Sequence, residues 1–187
     1  KSMKAVIMAG GSGTRLRPLT CNLPKPMVPV ANKPMSEHVV NLLKEHGFDE
    51  IIFALHYLPD AIRDHFGDGS DFGVKISYSV EEGKPLGTAG CVKAVQDHLD
   101  GTFIVISGDS LTDMNLSKAL EFHKEKKSKA TAKTKKATLP AKSSSVSKTH
   151  WNTVLLSQIT KVVSSALSKN QVPLKFLAIQ LIPAHTS

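Results

Sequence analysis

Cysteine is scarce in this chain. Cys21 and Cys91 are the only two, too few and too isolated for a disulfide framework or a zinc site. A reducing, cytoplasmic setting is therefore expected. No apolar run reaches the roughly 18 residues that a membrane span needs, so no membrane partner is expected. The stretch Ala5–Ala9 is too short for the apolar region of a signal peptide, and Met3 reads as an initiator. The eight histidines are scattered without metal-ligand spacing. No serine stands in a nucleophile-elbow motif. Tyr57 and Phe66 read as packing groups rather than a platform for stacked bases.

Other absences fall on one half of the chain only. Residues 126–187 hold 11 lysines but no acid, arginine or glycine. All 16 acidic residues lie at or before Glu125, against the 13 basic residues that remain there, a net of −3. The overall charge of +8 is thus a basic tail joined to a mildly acidic globular half. Two units are expected, residues 3–125 and residues 126–187. Along 126–150 the tail is Lys, Ala, Ser and Thr in low-complexity order, a composition that buries too little apolar surface to fold. Beyond it, Val154, Leu155, Ile159, Val162, Val163, Ala166 and Leu167 suit one amphipathic helix, and Phe176–Ile182 is an apolar segment. With no arginine and a single tryptophan, Trp151, the basic stretch argues against nucleic acid as a partner.

What the first half does contain is an alternation of strands and helices. Lys4–Ala9 is a continuous apolar run, as in a strand buried on both faces. Ser36 is read as the cap of a helix striped by Val39, Val40, Leu42 and Leu43, which Gly47 ends. Glu50–Leu55 is the next strand, and Pro59 and Gly67 bracket a short helix. Val74, Ile76, Tyr78 and Val80 alternate as a half-buried strand does. Thr88 is read as the cap of a helix bearing Val92, Val95 and Leu99, and Thr102–Ser107 is again a buried strand. Asp113 or Asn115 starts a last helix. Four β–α units in succession predict an α/β fold, a mostly parallel, Rossmann-like sheet with helices on both faces. Its ligand site belongs beyond the carboxyl ends of the strands.

The loop after the first strand reads Ala9-Gly10-Gly11-Ser12-Gly13-Thr14-Arg15-Leu16-Arg17-Pro18-Leu19-Thr20. Three glycines in four positions let the backbone approach a ligand with amides facing anionic oxygens. Arg15 and Arg17 add cations suited to a polyphosphate. Leu16 stands where a dinucleotide fingerprint requires glycine, and no Gly-Lys-Ser/Thr ending makes a P-loop. The loop runs on through Leu23-Pro24-Lys25-Pro26-Met27-Val28-Pro29-Val30 to Asn32-Lys33-Pro34-Met35.

From Gly10 to Met35 this run resembles the signature of the sugar-1-phosphate nucleotidylyltransferases. Pro85-Leu86-Gly87-Thr88-Ala89-Gly90 and Ser107-Gly108-Asp109-Ser110 extend the likeness over about residues 3–125. The resemblance implies transfer of a nucleotidyl group from a nucleoside triphosphate to a sugar 1-phosphate, with release of pyrophosphate. It implies that Gly10, Gly11, Gly13 and Thr14 cradle the nucleotide and that Arg15 stabilises the leaving pyrophosphate. Lys25 would meet the α-phosphate or the sugar phosphate, and Asp109 would hold Mg²⁺. A homo-oligomer is expected of the full-length family enzyme.

Leu86–Gly90 resembles the base-contacting loop of the mannose-1-phosphate guanylyltransferase branch, which brings in Gly87 and Thr88. Glu81 and Glu82 lie just upstream. A carboxylate accepts hydrogen bonds only, and guanine offers two adjacent donors. Glu81 is therefore the candidate base reader, with GTP and mannose 1-phosphate as expected substrates and GDP-mannose as product. The resemblance also implies further strands, a second metal-binding Asp and a Glu-Lys-Pro-like sugar site, none of which appears in residues 126–187. A truncated, inactive chain is thus one alternative. A non-catalytic regulatory subunit of the same fold is the other, against which the intact Arg15 and Lys25 argue.

Overall fold

The computed structural model describes residues 2–83, 86–125, 130–133, 138–140 and 175–179. In chain order the first elements are β1 (Met3–Met8), β2 (Pro29–Val30), β3 (Lys33–Pro34), α1 (Met35–Glu45), β4 (Phe48–Leu55), α2 (Pro59–Phe66) and β5 (Lys75–Val80). Then follow α3 (Gly87–Ala94), β6 (Thr102–Ser107), α4 (Leu116–Glu125), β7 (Ala130–Lys133), β8 (Thr138–Pro140) and β9 (Lys175–Ile179).

Seven strands form one sheet in the order β5-β4-β1-β6-β9-β7-β8, and β2 and β3 form a separate hairpin. Every pairing in the large sheet is parallel except β7 with β8. The expected fold class is the one observed. β1 lies inside the sheet between β4 and β6, and its alternate residues enter two cores. Ala5, Ile7 and Ala9 join Val39, Val40, Leu43, Ile62, Phe66 and Leu116 on the face covered by α1, α2 and α4. Val6 packs on the other face with Cys91, Val92, Val95 and Leu99 of α3 and the segment after it. Burying each of the Val, Leu, Ile and Phe side chains among these contributes roughly 1.5–3 kcal/mol, which fixes the register of the strands and hence the level of their exits.

Local chemistry sets the ends of the elements. Pro59 occupies the first turn of α2, and Gly67 closes it at φ 53°, a backbone angle that glycine adopts without the steric cost of a β-carbon. Asn115 Oδ1 accepts a hydrogen bond from the Lys118 amide at 2.9 Å and so caps α4. Two caps differ from expectation. Helix α1 begins at Met35, and the Ser36 hydroxyl, fully buried, instead donates to the Pro26 carbonyl at 2.9 Å. Helix α3 begins at Gly87, so Thr88 lies inside its first turn and does not precede it.

The sheet also exceeds the four strands expected. β7, β8 and β9 continue it beyond residue 125, with β9 pairing directly on β6 from Thr102↔Lys175 to Ile106↔Ile179. The change in composition at residue 125 is therefore not an edge of the sheet. Backbone pairing needs no particular side chain, which is why a basic, low-complexity sequence did not announce β7 and β8; β9 lies on the apolar segment that begins at Phe176. The helix expected over residues 154–167 lies outside the described residues.

Candidate active site

The chain passes outward from β1 to β4 and β5, then returns across β1 to β6. The boundary between β1 and β6 is thus where the strand order reverses, the place where open α/β sheets bind ligands. Hydrogen bonds beyond the strand ends hold the exits level. Gly108 N–H donates to Met8 O at 2.9 Å, Ala9 N–H to Ala54 O at 2.9 Å, and Glu81 N–H to Leu55 O at 2.8 Å. Gly108 is also hemmed in, since a β-carbon there would lie 3.1 Å from Ile7 Cγ2 and 3.3 Å from Pro26 Cβ.

The loop that leaves β1 makes two turns, and the second meets the exit of β6. The glycine loop leaves β1, and Gly13, at φ 61°, leads into a single 3₁₀ turn, Thr14–Leu16. Gly10 and Gly13 both sit where side chains would intrude. A β-carbon on Gly10 would come within 3.2 Å of His56 Cβ, and one on Gly13 within 3.0 Å of both Lys25 Cβ and Thr20 Cγ2. Gly11 is open, with nothing within 4 Å of its β-carbon position. Thr14, Arg15 and Arg17 are exposed.

A second 3₁₀ turn, Lys25–Met27, presents Lys25 between the buried prolines Pro24 and Pro26. Its ammonium pairs with Asp109 Oδ2, two residues beyond β6, and the Ser107 hydroxyl donates to Asp109 Oδ1. Burial alone would raise the Asp109 carboxyl. The hydrogen bonds from Lys25 and Ser107, with the lysine's charge, outweigh it and hold Asp109 below the ordinary carboxylate range. Asp109 is an anion at neutral pH, still about a quarter exposed.

The remaining candidates are less tightly gathered. Glu81 follows β5, two strands from β1, and links to the glycine loop through His56, whose Nδ1 lies 3.3 Å from Glu81 O. One Glu81 carboxylate oxygen is already engaged, accepting the Leu86 amide at 2.9 Å. Gly87 opens α3 at φ 70°. The Thr88 side chain lies outside the described residues. Among the described residues no three His, Cys, Asp or Glu side chains gather as a metal cage, and no helix is long and apolar enough to cross a membrane.

Tyr57 was expected only to pack. Its hydroxyl donates to Cys21 O at 3.1 Å and lies 3.5 Å from Thr20 O, tying the exit of β4 to the far end of the glycine loop. Thr20, fully buried, donates its own hydroxyl to Gly13 O at 2.7 Å. Neither contact has a sequence signal beyond the pattern Pro-Leu-Thr.

Comparison with known proteins places these features. The family model described as nucleotidyl transferase matches residues 4–142. A UTP–glucose-1-phosphate uridylyltransferase of Synechocystis sp. is 44% identical over 144 residues, 71% of this chain and 37% of that protein. Mannose-1-phosphate guanylyltransferase 1 of Arabidopsis thaliana is 41% identical over 145 residues, 75% of this chain and 40% of that protein. The crystal structure of HddC from Yersinia pseudotuberculosis, complexed with GMP-PN, superposes with a TM-score of 0.61 at 32% identity. That match covers 70% of this chain and 57% of HddC. The chain therefore spans well under half the length of these two curated relatives.

Proposed function

The chain belongs to the nucleotidyl transferase family, and on that premise we propose that it carries the nucleotide-binding half of a sugar-1-phosphate nucleotidylyltransferase. The observation that carries this reading is the meeting of the glycine loop, Lys25 and Asp109 at the β1–β6 boundary. In the proposed reaction an oxygen of the sugar phosphate attacks the α-phosphorus of a nucleoside triphosphate. A new P–O bond forms, the bond to the β-phosphate oxygen breaks, and its electron pair leaves with pyrophosphate. Such a reaction is catalysed mainly by positioning and by charge placed where it develops.

The residues divide the work. Amides of Gly10, Gly11, Gly13 and Thr14 face the phosphates, as an amide-lined turn does for anions. Arg15, exposed beside them, takes the leaving pyrophosphate. Lys25 neutralises the α-phosphate or the incoming sugar phosphate. Asp109 suits Mg²⁺, because it is an ionised, partly exposed hard-oxygen donor. A magnesium ion takes one or two carboxylates and fills its remaining positions with phosphate oxygens and water. When bound, the ion offsets charge on the phosphate oxygens.

For substrates we favour GTP and mannose 1-phosphate, giving GDP-mannose. Support comes from the Arabidopsis relative, from the GMP-PN complex of HddC, and from Glu81 as an acceptor for guanine. Two observations favour a second reading with UTP and glucose 1-phosphate. The Synechocystis relative is a uridylyltransferase at 44% identity, and one Glu81 oxygen is already committed to the loop. Calorimetric titration of GTP, UTP, ATP and dTTP with Mg²⁺ decides between them. The favoured reading expects GTP to bind tightest, and tighter binding of UTP would replace it with the second.

A further inference from the structure

We propose that Thr20, anchored by Tyr57, is a positioning residue that fixes the spacing of the cations Arg15 and Lys25. The proposal rests on the nucleotide-binding reading above. Gly13 is the point where the two cation-bearing segments touch. Its carbonyl accepts the Leu16 amide at 2.9 Å, which closes the turn that carries Arg15. The same carbonyl accepts the Thr20 hydroxyl at 2.7 Å. Thr20 thus bonds to the same oxygen that defines the Arg15 turn.

The other side of Gly13 faces the lysine. Thr20 Cγ2 and Lys25 Cβ each lie 3.0 Å from the position a Gly13 β-carbon would take. The Thr20 methyl and the root of the Lys25 side chain therefore crowd the space where a Gly13 side chain would begin. Thr20 is fully buried, so removing its hydroxyl leaves Gly13 O with the Leu16 amide alone, and a buried group that loses a hydrogen-bond partner is destabilised. Its own backbone is held in turn, because Tyr57 Oη donates to Cys21 O at 3.1 Å and lies 3.5 Å from Thr20 O. Two neighbouring turns of one loop, residues 13–16 and 20–25, and the remote exit of β4 are joined at one threonine. A group that positions phosphate-binding cations matters through geometry, and displacement of about 1 Å is enough to cost binding or rate.

The experiment is titration of GTP and of UTP, each with Mg²⁺, into the purified 187-residue chain, following the tighter of the two. Thr20→Val keeps the shape and removes the hydroxyl, and Thr20→Ser keeps the hydroxyl and removes the methyl. Thermal unfolding is measured beside each titration. Thr20→Val is expected to weaken nucleotide binding about tenfold, the scale of one lost hydrogen bond, and Thr20→Ser to recover most of that loss. Tyr57→Phe, at the more exposed end of the chain of bonds, is expected to weaken binding about threefold. It also keeps the test open if Thr20→Val does not fold. Variants that melt lower yet bind as tightly as the unsubstituted chain would reduce Thr20 to a packing role and overturn the proposal. An unsubstituted chain that binds neither triphosphate would overturn the nucleotide-binding reading, and this proposal with it.

Discussion

Single residues set the charge of this crevice. Arg15 is exposed on its turn, whereas Lys25 is committed to Asp109, which it helps to hold in the charged form. Replacing Arg15 with Ala removes a charge-assisted hydrogen bond worth about 1.5–3 kcal/mol, so GTP affinity should fall by roughly tenfold to a hundredfold in calorimetry. An unchanged affinity would remove Arg15 from the site. Gly13 should be as intolerant as Gly11 is tolerant. At φ 61° a side chain costs about 1–2 kcal/mol from conformation alone, before its clash with Lys25 and Thr20. Denaturant unfolding should therefore separate Gly13→Ala from Gly11→Ala by at least that amount. The two cysteines should differ as well. Burial, together with the charge of Glu81, pushes the Cys91 thiol up to about 12, while Cys21 is exposed. Maleimide at neutral pH should label one site, and mass mapping should find it at Cys21. Arg15, Lys25 and Asp109 stood out in the sequence through the motifs that carry the family resemblance. The contacts of Thr20 and Tyr57 did not, since they join residues up to 37 apart in the chain.

At the scale of elements, the β2–β3 hairpin and two helices share one carboxylate. Glu37 of α1 accepts Lys33 of β3 at 3.0 Å and lies 3.2 Å from His65 Nε2 of α2. Burial works to raise the Glu37 carboxyl, but the hydrogen bonds and charges of Lys33 and His65 lower it on balance. A carboxylate depressed on folding adds stability above its unfolded pKa, and that stability is lost as pH falls through the folded value. Melting temperatures of the parent and Glu37→Gln should thus differ near neutrality and converge on acidification below about pH 4.5. A gap that persists or widens there would contradict this tie. Element boundaries were readable where the residue itself does the work, as Pro59 and Gly67 do for α2 or Asn115 for α4. They were misread where a hydroxyl had two uses. Ser36 looks like a cap in sequence, but the folded chain spends its hydroxyl on Pro26 O and so steadies the Lys25 turn. The strands β7 and β8 were missed because low-complexity sequence shows no strand period, whereas β9 falls on the apolar segment that opens at Phe176.

Across the whole molecule, charge and site are separated. The first 125 residues carry a net −3 and hold every candidate site residue, and the remaining 62 carry 11 lysines without a single acid. A second metal-binding carboxylate cannot come from residues 126–187, and Asp109 has none beside it in a cage among the described residues. Nucleotide binding without useful turnover is therefore the behaviour expected of the chain by itself. A pyrophosphate-release assay with GTP, Mg²⁺ and mannose 1-phosphate should stay at background, and turnover that disappears in Asp109→Ala would contradict this. If one crevice takes both the phosphates and the metal, the two ligands are linked. GTP is titrated into the chain with and without Mg²⁺, and again into Asp109→Asn. If Asp109 holds the ion against the phosphates, Mg²⁺ should strengthen GTP binding by about tenfold or more in the parent and hardly at all in the Asn variant. An equal gain from Mg²⁺ in both proteins would mean that the metal rides on the nucleotide alone and that Asp109 does not hold it.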